Sequence, residues 1–457
     1  MATYNPVPVR RGSLVGPLIV VLLGVIFLLS NFRPELSLWK IFARYWPFLL
    51  IFWGAGRLLE YFVARATSRP IARTLTGGEV FLVILICLIG SGLFAAARGD
   101  WGLPRWSHRS IEVFGANYDF PLEAGREIPA NATVVVNNLN GNVTLTGADT
   151  QQLKITGRKS VKAYSQTEAD KADKATPLEI SVEEGRVYVR TNQDRDSGRR
   201  RISTDLEITV PRTVSVTLEG RYGDFQVNNV AGPVEVNSNN AGVRLSEIAK
   251  DVRVSLRRSD IVRATQVKGN VDISGRGRDI ELEQVAGTVT INGDFSCSIK
   301  IQDVAKPVRY TSSQTELSLE KLPGKMEMDL GSLTATNVVG PVKLTARSKD
   351  VRIEDFTKEI DITSRRGDIE LRASKLPLAN IHAESHSGDI QLQVPAGARF
   401  SLEATTASGG VKNEYSESIK VVKQGKSAEM RGEVAGSGAA AQVRLVTDRG
   451  AITIKKS

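Results

Sequence analysis

The chain has 457 residues, which is enough for two or three domains and a large buried core. Its two cysteines, Cys87 and Cys297, are too few for a disulfide framework. The formal net charge of +10 predicts either a plain basic surface or an affinity for anionic surfaces such as phospholipid headgroups and anionic glycans. All five tryptophans lie in the first 110 residues: Trp39, Trp46, Trp53, Trp101 and Trp106. This asymmetry predicts that the two parts of the chain face different solvents.

Three apolar segments predict an N-terminal tail, residues 1–12, followed by a three-span membrane region, residues 13–97. Residues 13–32 carry no charge, and a helix of that length, at about 1.5 Å per residue, spans a bilayer core of about 30 Å. Residues 46–63 and 80–97 supply the second and third spans. Aromatic residues flank the spans, as they do at membrane interfaces.

Charge does not set the orientation of these spans. Arg57 and Glu60 lie about one turn apart in the second span, where they can pair near the helix end. Lysine and arginine are balanced between the two sides of the predicted membrane region, so the positive-inside rule does not decide. An N-terminus inside the cell, together with three spans, would place the C-terminal domain outside.

The first two spans resemble the membrane region of LiaF-type bacterial envelope-stress proteins. The resemblance rests on Gly-Pro-Leu-Ile at 16–19, Leu-Leu-Gly at 22–24, Phe-Leu-Leu-Ser-Asn at 27–31 and Trp-Pro-Phe-Leu-Leu-Ile at 46–51. It implies a protein of the bacterial cytoplasmic membrane that has the lipid bilayer and a membrane signalling protein as partners. With the topology above, the C-terminal domain is expected to be extracytoplasmic.

Residues 98–130 are rich in glycine and proline without a helical period, and they predict a linker. Residues 160–176 and 193–201 are polar and lack periodicity, so they predict surface loops inserted in a sheet. The basic tract Arg199, Arg200 and Arg201 in the second loop is expected to be solvated, with phosphate contact as the alternative.

A repeat of about 18 residues fills most of the segment 131–457. Apolar–polar–apolar triplets recur, and one apolar column reads Phe225, Val243, Ile261, Ile280, Ile299, Leu317, Leu333, Val351, Ile369 and Ile390. A second column with the same period reads Val234, Val252, Val271, Val289, Val308, Met326, Val342 and Ile360. The period is too short for paired helices, and β-branched triplets favour strands. The prediction is an all-β solenoid, similar to a parallel β-helix, preceded by three transmembrane α-helices.

The C-terminal segment supplies the end of the predicted solenoid. Val443-Arg444-Leu445 and Ile452-Thr453-Ile454 are expected to be closing strands, followed by a charged edge at Lys455-Lys456-Ser457. The turn-Gly-Asp-apolar-x-apolar pattern, as at 367–371 and 388–392, resembles the bacterial adhesin-like "toast-rack" domain. That resemblance implies a fold but no catalytic residues, and no cofactor is expected.

Two polar patterns are candidates for chemistry. His382, Glu384 and His386 alternate, so one face of a strand would carry all three; we expect an ordinary polar face, with a metal site as the alternative. An aspartate recurs at the entry to most triplets of the first column: Asp224, Asp260, Asp279, Asp350, Asp368 and Asp389. We expect these carboxylates to cap their own turns, with Ca²⁺ binding or acid–base catalysis as alternatives. Arg366-Gly367-Asp368 falls at this turn and therefore follows from the repeat.

Basic pairs precede the aspartates in four coils, and stacking would align them in a basic strip along one edge. They are Arg257 and Arg258, Arg276 and Arg278, Arg347 and Lys349, and Arg365 and Arg366. The strip predicts either Arg–Asp pairing between coils or binding of an anionic envelope polymer or lipid headgroup. Nucleic acid is disfavoured because no aromatic residues interleave with the basic ones.

The functional prediction is a membrane-anchored, non-enzymatic envelope protein whose solenoid is a binding or scaffold surface in adhesion or envelope-stress sensing. The alternative is a β-helix carbohydrate-active enzyme that acts on an anionic polysaccharide. The absence of tryptophan from the domain counts against that alternative, because sugar-cleaving clefts commonly present aromatic platforms.

Overall fold

The computed structural model describes residues 116–196 and 202–457, together with three helical residues, Ile51, Ile84 and Cys87. The chain divides into two units, Met1–Val113 and Phe114–Ser457. Within the described residues, no helix is both long and apolar enough to cross a bilayer. The three predicted spans, apart from those single helical residues, and Arg199–Arg201 lie outside the described part of the chain.

The described residues of the second unit form thirty strands. Those before the regular repeat, with the helices between them, are β1 (Ala116–Glu127), β2 (Thr133–Asn140), β3 (Val143–Ala148), β4 (Gln152–Ala163), α1 (Gln166–Ala175), β5 (Glu179–Glu183), β6 (Arg186–Arg190), a 3-10 helix (Gln193–Arg195) and β7 (Ile202–Pro211). The regular repeat contains β8 (Ser215–Tyr222), β9 (Phe225–Val230), β10 (Val234–Asn240), β11 (Val243–Ile248), β12 (Val252–Val267), β13 (Val271–Val285), β14 (Val289–Phe295), β15 (Ile299–Val304) and β16 (Val308–Thr311).

A long strand separates this repeat from a second series of strands. These are β17 (Thr315–Met328), β18 (Ser332–Thr336), β19 (Val339–Ala346), β20 (Asp350–Glu354), β21 (Ile360–Ser364), β22 (Ile369–Arg372), β23 (Ile381–Ser387), β24 (Ile390–Val394), β25 (Ala398–Ser408), β26 (Val411–Glu414), β27 (Lys420–Gln424), β28 (Ser427–Val434), β29 (Ser437–Arg449) and β30 (Ile452–Lys456).

Each coil contributes one segment to a front sheet and one to a back sheet, and from β2 to β16 successive coils pair in parallel. In the front sheet β2, β8, β10, the first half of β12, the first half of β13, β14 and β16 stack in that order. In the back sheet β3, β9, β11, the second half of β12, the second half of β13 and β15 do the same. We call the turns from front to back the leading edge and the turns from back to front the trailing edge. The prediction of an all-β solenoid is thus confirmed.

The core lies between the two sheets and forms a continuous apolar cluster along the stack. Val236 and Val254, neighbours in the front sheet, are each 0% exposed. Burying such a side chain contributes about 1.5–3 kcal/mol relative to leaving it in water. Because every coil presents the same apolar positions, each one covers its neighbour, and coil-to-coil contact supplies the stability.

A left-handed backbone residue at each back-strand end keeps the apolar side chains inward. Asn229, Glu247, Gln266 and Gln284 have φ near +57°, between 56° and 58°. Each lies four residues after the first buried residue of its back strand. An ordinary strand alternates with a period of two, but this twist allows the residue after it, such as Val267, to point into the core. The pattern was missed in the sequence because glutamate and glutamine are unusual at positive φ.

Strand β17 runs against its neighbours and reverses the order of the two apolar columns. It pairs antiparallel with β16 and β19 in the front sheet and with β15 and β18 in the back sheet. Leu317 therefore lies in the front sheet and Met326 in the back sheet, opposite to the predicted columns. Ile261 was also misassigned, since Val262 is the residue that pairs with Val243 and is buried. Because β17 keeps the spacing of the repeat, periodicity alone does not reveal its direction.

The N-terminal end of the stack is closed by strands and a helix where the sequence predicted a linker and loops. Strand β1 falls within the predicted linker, residues 98–130, and pairs with β4. Helix α1 occupies most of the predicted loop 160–176 and is capped by Ser165, whose Oγ accepts a hydrogen bond from the Glu168 N–H. The ammonium of Lys159, only 2% exposed, anchors its other end.

The C-terminal end is closed differently from the prediction. Strands β29 and β30 do not cap the stack; β29 lies between β23 and β25, and β30 lies between β24 and β26. The outermost coil is therefore β25–β26, with β28 and β27 added beside β25. Lys455 and Lys456 belong to a strand that is paired with β24, so they do not form a free charged edge.

Candidate functional site

The predicted basic residues lie on the leading edge of the solenoid. Seven arginines there are exposed: Arg257, Arg258, Arg276, Arg278, Arg347, Arg365 and Arg366. Parallel pairing of the coils brings them to one edge, in two groups. The groups are separated by the turn between β14 and β15 and by the hairpins on either side of β17. From β13 to β19 that interval is four strand spacings, or about 19 Å.

Lys349 does not belong to this exposed set. Its side chain is 7% exposed, and its ammonium donates a hydrogen bond to the backbone carbonyl of Asp329 in the β17–β18 hairpin. Burial lowers the pKa of Lys349, although the nearby Asp329 carboxylate acts in the opposite direction. We therefore correct the predicted strip: this lysine holds a hairpin in place rather than facing solvent.

The exposed arginines differ in their partners from arginines on the sheet faces. On the faces, Arg244 pairs with Asp224 at 2.9 Å and Arg352 pairs with Glu370 at 3.3 Å. On the leading edge, none of the five arginines Arg257, Arg258, Arg347, Arg365 and Arg366 forms an ion pair with another described residue. The alternative of Arg–Asp pairing between coils is therefore not seen at these positions.

Arg278 has a different neighbour. Its guanidinium hydrogen-bonds the Cys297 side chain one coil further on, and this bond raises the pKa of Arg278. Arg276 lies beside Asp294, and its charge helps to lower the pKa of that carboxyl. Arg278 and Arg276 thus each interact with a side chain of the next coil, whereas Arg257 and Arg258 in the preceding coil form no such interaction.

The aspartate column has a structural role that the sequence did not predict. Asp350 Oδ1 accepts the Asp368 N–H at 3.0 Å, Asp368 Oδ1 accepts the Asp389 N–H at 2.8 Å, and Asp389 Oδ1 accepts the Ala451 N–H at 2.7 Å. Each carboxylate therefore caps the next coil of the stack rather than its own turn. Asp260 is an exception, since it accepts no such bond among the described residues.

The Arg-Gly-Asp tripeptide is shaped by the same stacking. Gly367 has φ +116°, and a Cβ at this position would lie 2.1 Å from the Lys349 carbonyl oxygen. Only glycine fits this close approach of two coils. Asp368 is engaged on both sides by the hydrogen bonds just described, so the tripeptide follows from the fold.

The alternating histidines share one face of β23, as predicted, but they turn to different partners. His382 Nε2 lies 4.0 Å from Glu384 Oε2. His386 Nδ1 lies 2.5 Å from Asp448 Oδ2, and Arg449 Nη2 lies 3.3 Å from its Nε2. In the described part of the chain, no group of three His, Cys, Asp or Glu side chains is arranged to hold a metal ion.

Arg449 adds a basic residue to the leading edge that sequence reasoning missed. It pairs in register with Ser387 of β23 and Ser408 of β25, two coils beyond Arg365 and Arg366. The repeat could not reveal it, because β29 reaches this position only after a detour of 62 residues through the outermost coil.

A small pocket adjoins the first arginine group. Its volume is about 380 Å³, and Arg257, Ser238, Ser255 and Ser274 contribute to its lining. The Ser238 hydroxyl is buried without a hydrogen-bond partner among the described residues, whereas the hydroxyls of Ser255 and Ser274 lie 3.1 Å apart. An arginine beside hydroxyl donors is suited to a compact anionic group.

Stacked two-sheet coils with polar edges define a β-solenoid. Its described residues contain no group of His, Cys, Asp or Glu side chains that is arranged to bind a metal ion. The sequence profile of the family described as Toastrack DUF4097 matches residues 131–455, and the chain belongs to that family. A second profile, that of the LiaF transmembrane domain, matches residues 15–103 and indicates a membrane protein. Both resemblances expected from the sequence are confirmed. A search of curated proteins gave no match.

Solved structures matched this chain at low sequence identity and low TM-score. A presumed cell adhesion protein from Clostridium sporogenes ATCC 15579 is 8% identical, covering 74% of this chain and 100% of its own, with a TM-score of 0.21. A presumed lipid binding protein from Parabacteroides distasonis ATCC 8503 is 10% identical, covering 73% and 96%, with a TM-score of 0.22. A presumed adhesin from Bacteroides fragilis NCTC 9343 is 11% identical, covering 74% and 97%, with a TM-score of 0.18.

Proposed function

We propose that this chain is a membrane-anchored, non-enzymatic protein of the bacterial envelope whose solenoid binds anionic groups along its leading edge. The anchor is the region 13–97 with its three spans, and the solenoid, residues 131–457, lies on the extracytoplasmic side. The match of residues 15–103 to the LiaF transmembrane domain supports the anchor.

The observation that carries the binding role is the set of exposed arginines without carboxylate partners. Two unit charges about 5 Å apart repel by about 0.8 kcal/mol even in water, and coils stack at about this spacing. An anionic ligand would offset that repulsion. Phosphate groups of lipid headgroups and the phosphates or carboxylates of an envelope polymer offer the same chemistry to a guanidinium.

Non-enzymatic binding is favoured over a carbohydrate-active enzyme by the state of the aspartates. General acid–base catalysis needs carboxylates that converge on a substrate. Asp350, Asp368 and Asp389 instead lie one per coil, and each uses Oδ1 to accept a backbone N–H of the neighbouring coil. Their spacing of one per coil therefore fits a role in joining neighbouring coils, not in catalysis.

The LiaF-type membrane region favours one further role for this chain, namely the control of a partner. That partner would be a membrane signalling protein that responds when the solenoid is occupied. The test of this role is co-purification of a membrane kinase with the full-length chain, compared with a chain whose residues 13–97 are replaced by unrelated spans. Loss of co-purification in the replaced chain would support the role, and equal recovery would contradict it.

Charge reversal tests the leading edge. The full-length chain would be placed in phosphatidylcholine nanodiscs and titrated with poly(glycerol phosphate) and with phosphatidylglycerol vesicles. The test variant reverses four leading-edge residues to glutamate: Arg257, Arg276, Arg347 and Arg365. The control reverses four exposed residues of the sheet faces, with the same change in net charge: Lys300, Arg309, Lys325 and Lys343.

We expect the leading-edge variant to lose affinity by about tenfold or more, because several exposed ion pairs of about 0.2–1 kcal/mol each are lost. The control should lose much less. Equal losses would mean that only net charge matters and would refute the leading edge. The two ligands separate a lipid from a polymer as the source of the anion.

Topology is tested separately. Fluorescent and periplasm-active reporters fused at the C-terminus should give the signal of an extracytoplasmic domain. A cytoplasmic signal would exclude contact with envelope polymers outside the membrane.

A further inference from the structure

A cavity among the described residues lies on the outer face of the front sheet, apart from the leading-edge arginines. Its volume is about 1010 Å³, and its lining comes from seven neighbouring strands, from β6 through β2, β8, β10, β12 and β13 to β14. At about 4.8 Å per strand the groove is about 29 Å long. It runs across the strands, so each coil contributes one step to its floor.

The outward side chains in this groove are more covered than those elsewhere on the same sheet. Val135, Thr217 and Glu219 point away from the core yet are buried or half-buried. The corresponding outward residues of β19, such as Lys343 and Thr345, are exposed. The front sheet is therefore recessed at its N-terminal half and open at its C-terminal half.

The lining combines donors and acceptors without a net excess of positive charge. Three arginines (Arg186, Arg190 and Arg253) face four carboxylates (Glu219, Glu235, Asp251 and Asp272). Two of the acids are oriented by amides: Asn137 Nδ2 donates to Glu219 Oε2 at 3.3 Å, and Asn237 Nδ2 donates to Glu235 Oε1 at 3.0 Å. A compact anion would meet carboxylates here, which separates this groove from the leading edge.

One end of the groove carries an aromatic side chain held in place. The Arg190 guanidinium lies over the Tyr188 ring, 4.4 Å from its centre, and Arg190 is in turn bound to Glu183 at 3.1 Å. Val135, beside Tyr188 in register, supplies an apolar patch of the floor. The groove thus offers an aromatic and apolar platform at one end and rows of hydroxyl, amide and carboxylate groups along the rest.

We infer that this groove binds an extended, neutral oligosaccharide. Such a chain presents apolar ring faces and many hydroxyls that both donate and accept, and the lining supplies the matching groups with a net charge of only −1, from three arginines and four carboxylates. The length of the groove fits several sugar residues in a row. The inference does not depend on the proposed anion-binding edge, since Tyr188 and Thr217 lie on the sheet face.

The test uses the full-length chain in phosphatidylcholine nanodiscs, titrated calorimetrically with chitohexaose, cellohexaose and maltohexaose. We expect saturable binding of at least one of them, with little dependence on salt. Thr217→Val removes one hydroxyl at constant shape, and Tyr188→Ala removes the platform; each should weaken binding about threefold to tenfold. Thr345→Val, on the same sheet outside the groove, should leave affinity unchanged.

Thermal melting of each variant verifies that it is folded. The inference is overturned if none of the three sugars binds at concentrations up to about 10 mM. This concentration is well above the Kd of an ordinary specific site. It is also overturned if the Tyr188→Ala, Thr217→Val double variant binds as the parent does. Binding that disappears at high salt would assign the ligand to the leading edge instead and equally overturn it.

Discussion

Replacing Asp368 by alanine should weaken the solenoid at one defined contact. The Asp368 carboxylate accepts the Asp389 N–H at 2.8 Å, which joins two coils at the leading edge. A hydrogen bond to a charged acceptor contributes about 1.5–3 kcal/mol, and because Asp368 is exposed we expect the low end, about 1.5 kcal/mol. The alanine variant leaves the Asp389 N–H without this acceptor.

The loss of about 1.5 kcal/mol can be measured as a change in Tm or as a change in the rate of hydrogen exchange. For the 342 residues from 116 to 457, an unfolding entropy of about 2.1 cal/mol/K per residue gives about 0.7 kcal/mol/K, so Tm should fall by about 2 °C. Locally, the same energy corresponds to about tenfold faster hydrogen exchange at the Asp389 amide. The local measurement is the sharper one, because coils of a solenoid can open separately.

Two variants serve as controls for this experiment. Asp368→Asn keeps a side-chain oxygen and should retain most of the protection. Asp260→Ala removes a carboxylate of the same column that accepts no coil-to-coil bond among the described residues, so it should leave exchange in the next coil unchanged. If Asp368→Ala does not speed hydrogen exchange at the Asp389 amide, the carboxylate does not stabilise the contact between coils. Ca²⁺ binding or acid–base catalysis would then be the better explanation of the aspartate column.

Three further predictions concern the cap, the backbone and pH. Lys159→Met leaves Asp173, at 2.8 Å, without its buried partner and should cost about 3 kcal/mol in urea unfolding, with early proteolysis of α1; a change below about 1 kcal/mol would contradict this. Gln266→Gly should be neutral to slightly stabilising because φ is +56°, whereas Gln266→Val should cost about 1–2 kcal/mol; equal effects would show that the positive φ is unstrained. The Ser313 N–H and hydroxyl lower the pKa of Asp294, so its stabilisation is full above the ordinary value of about 3.9 and is lost as pH falls through the lower folded pKa; the urea midpoints of the parent and Asp294→Asn should therefore converge in acid, and a constant difference would refute the linkage.

Sequence and structure agree best where physical chemistry is local and repeated. Alternating valines such as Val234 and Val236 predict a strand with one buried side, and the 18-residue spacing from Val234 to Val252 predicts that such strands stack. The exposed position of Arg257 and Arg365 could be predicted in the same way, because both fall in the turn between a front-sheet segment and a back-sheet segment. The spans rest on similar local reasoning, since a long uncharged apolar segment suits a bilayer.

The position of each strand within the stack was harder to predict from the sequence. Strand β17 preserves the period while running backwards, and β29–β30 insert between earlier coils, because strand pairing depends on which backbone edges are free and not on order along the chain. For the same reason Lys349, predicted to be a surface residue, is buried under a hairpin, and Arg449 joins the leading edge from 63 residues beyond its neighbour His386.

The sequence by itself determined the composition of each coil: the apolar positions that face the core in most strands, and the positions where the turns fall. Those properties follow from residue type and a period of two within strands. Only the tertiary structure decided the neighbours: the carboxylate of one coil capping the next, the reversed strand, the inserted coil and the recessed face that makes the groove. These depend on contacts between residues far apart in the chain, which local pattern does not encode.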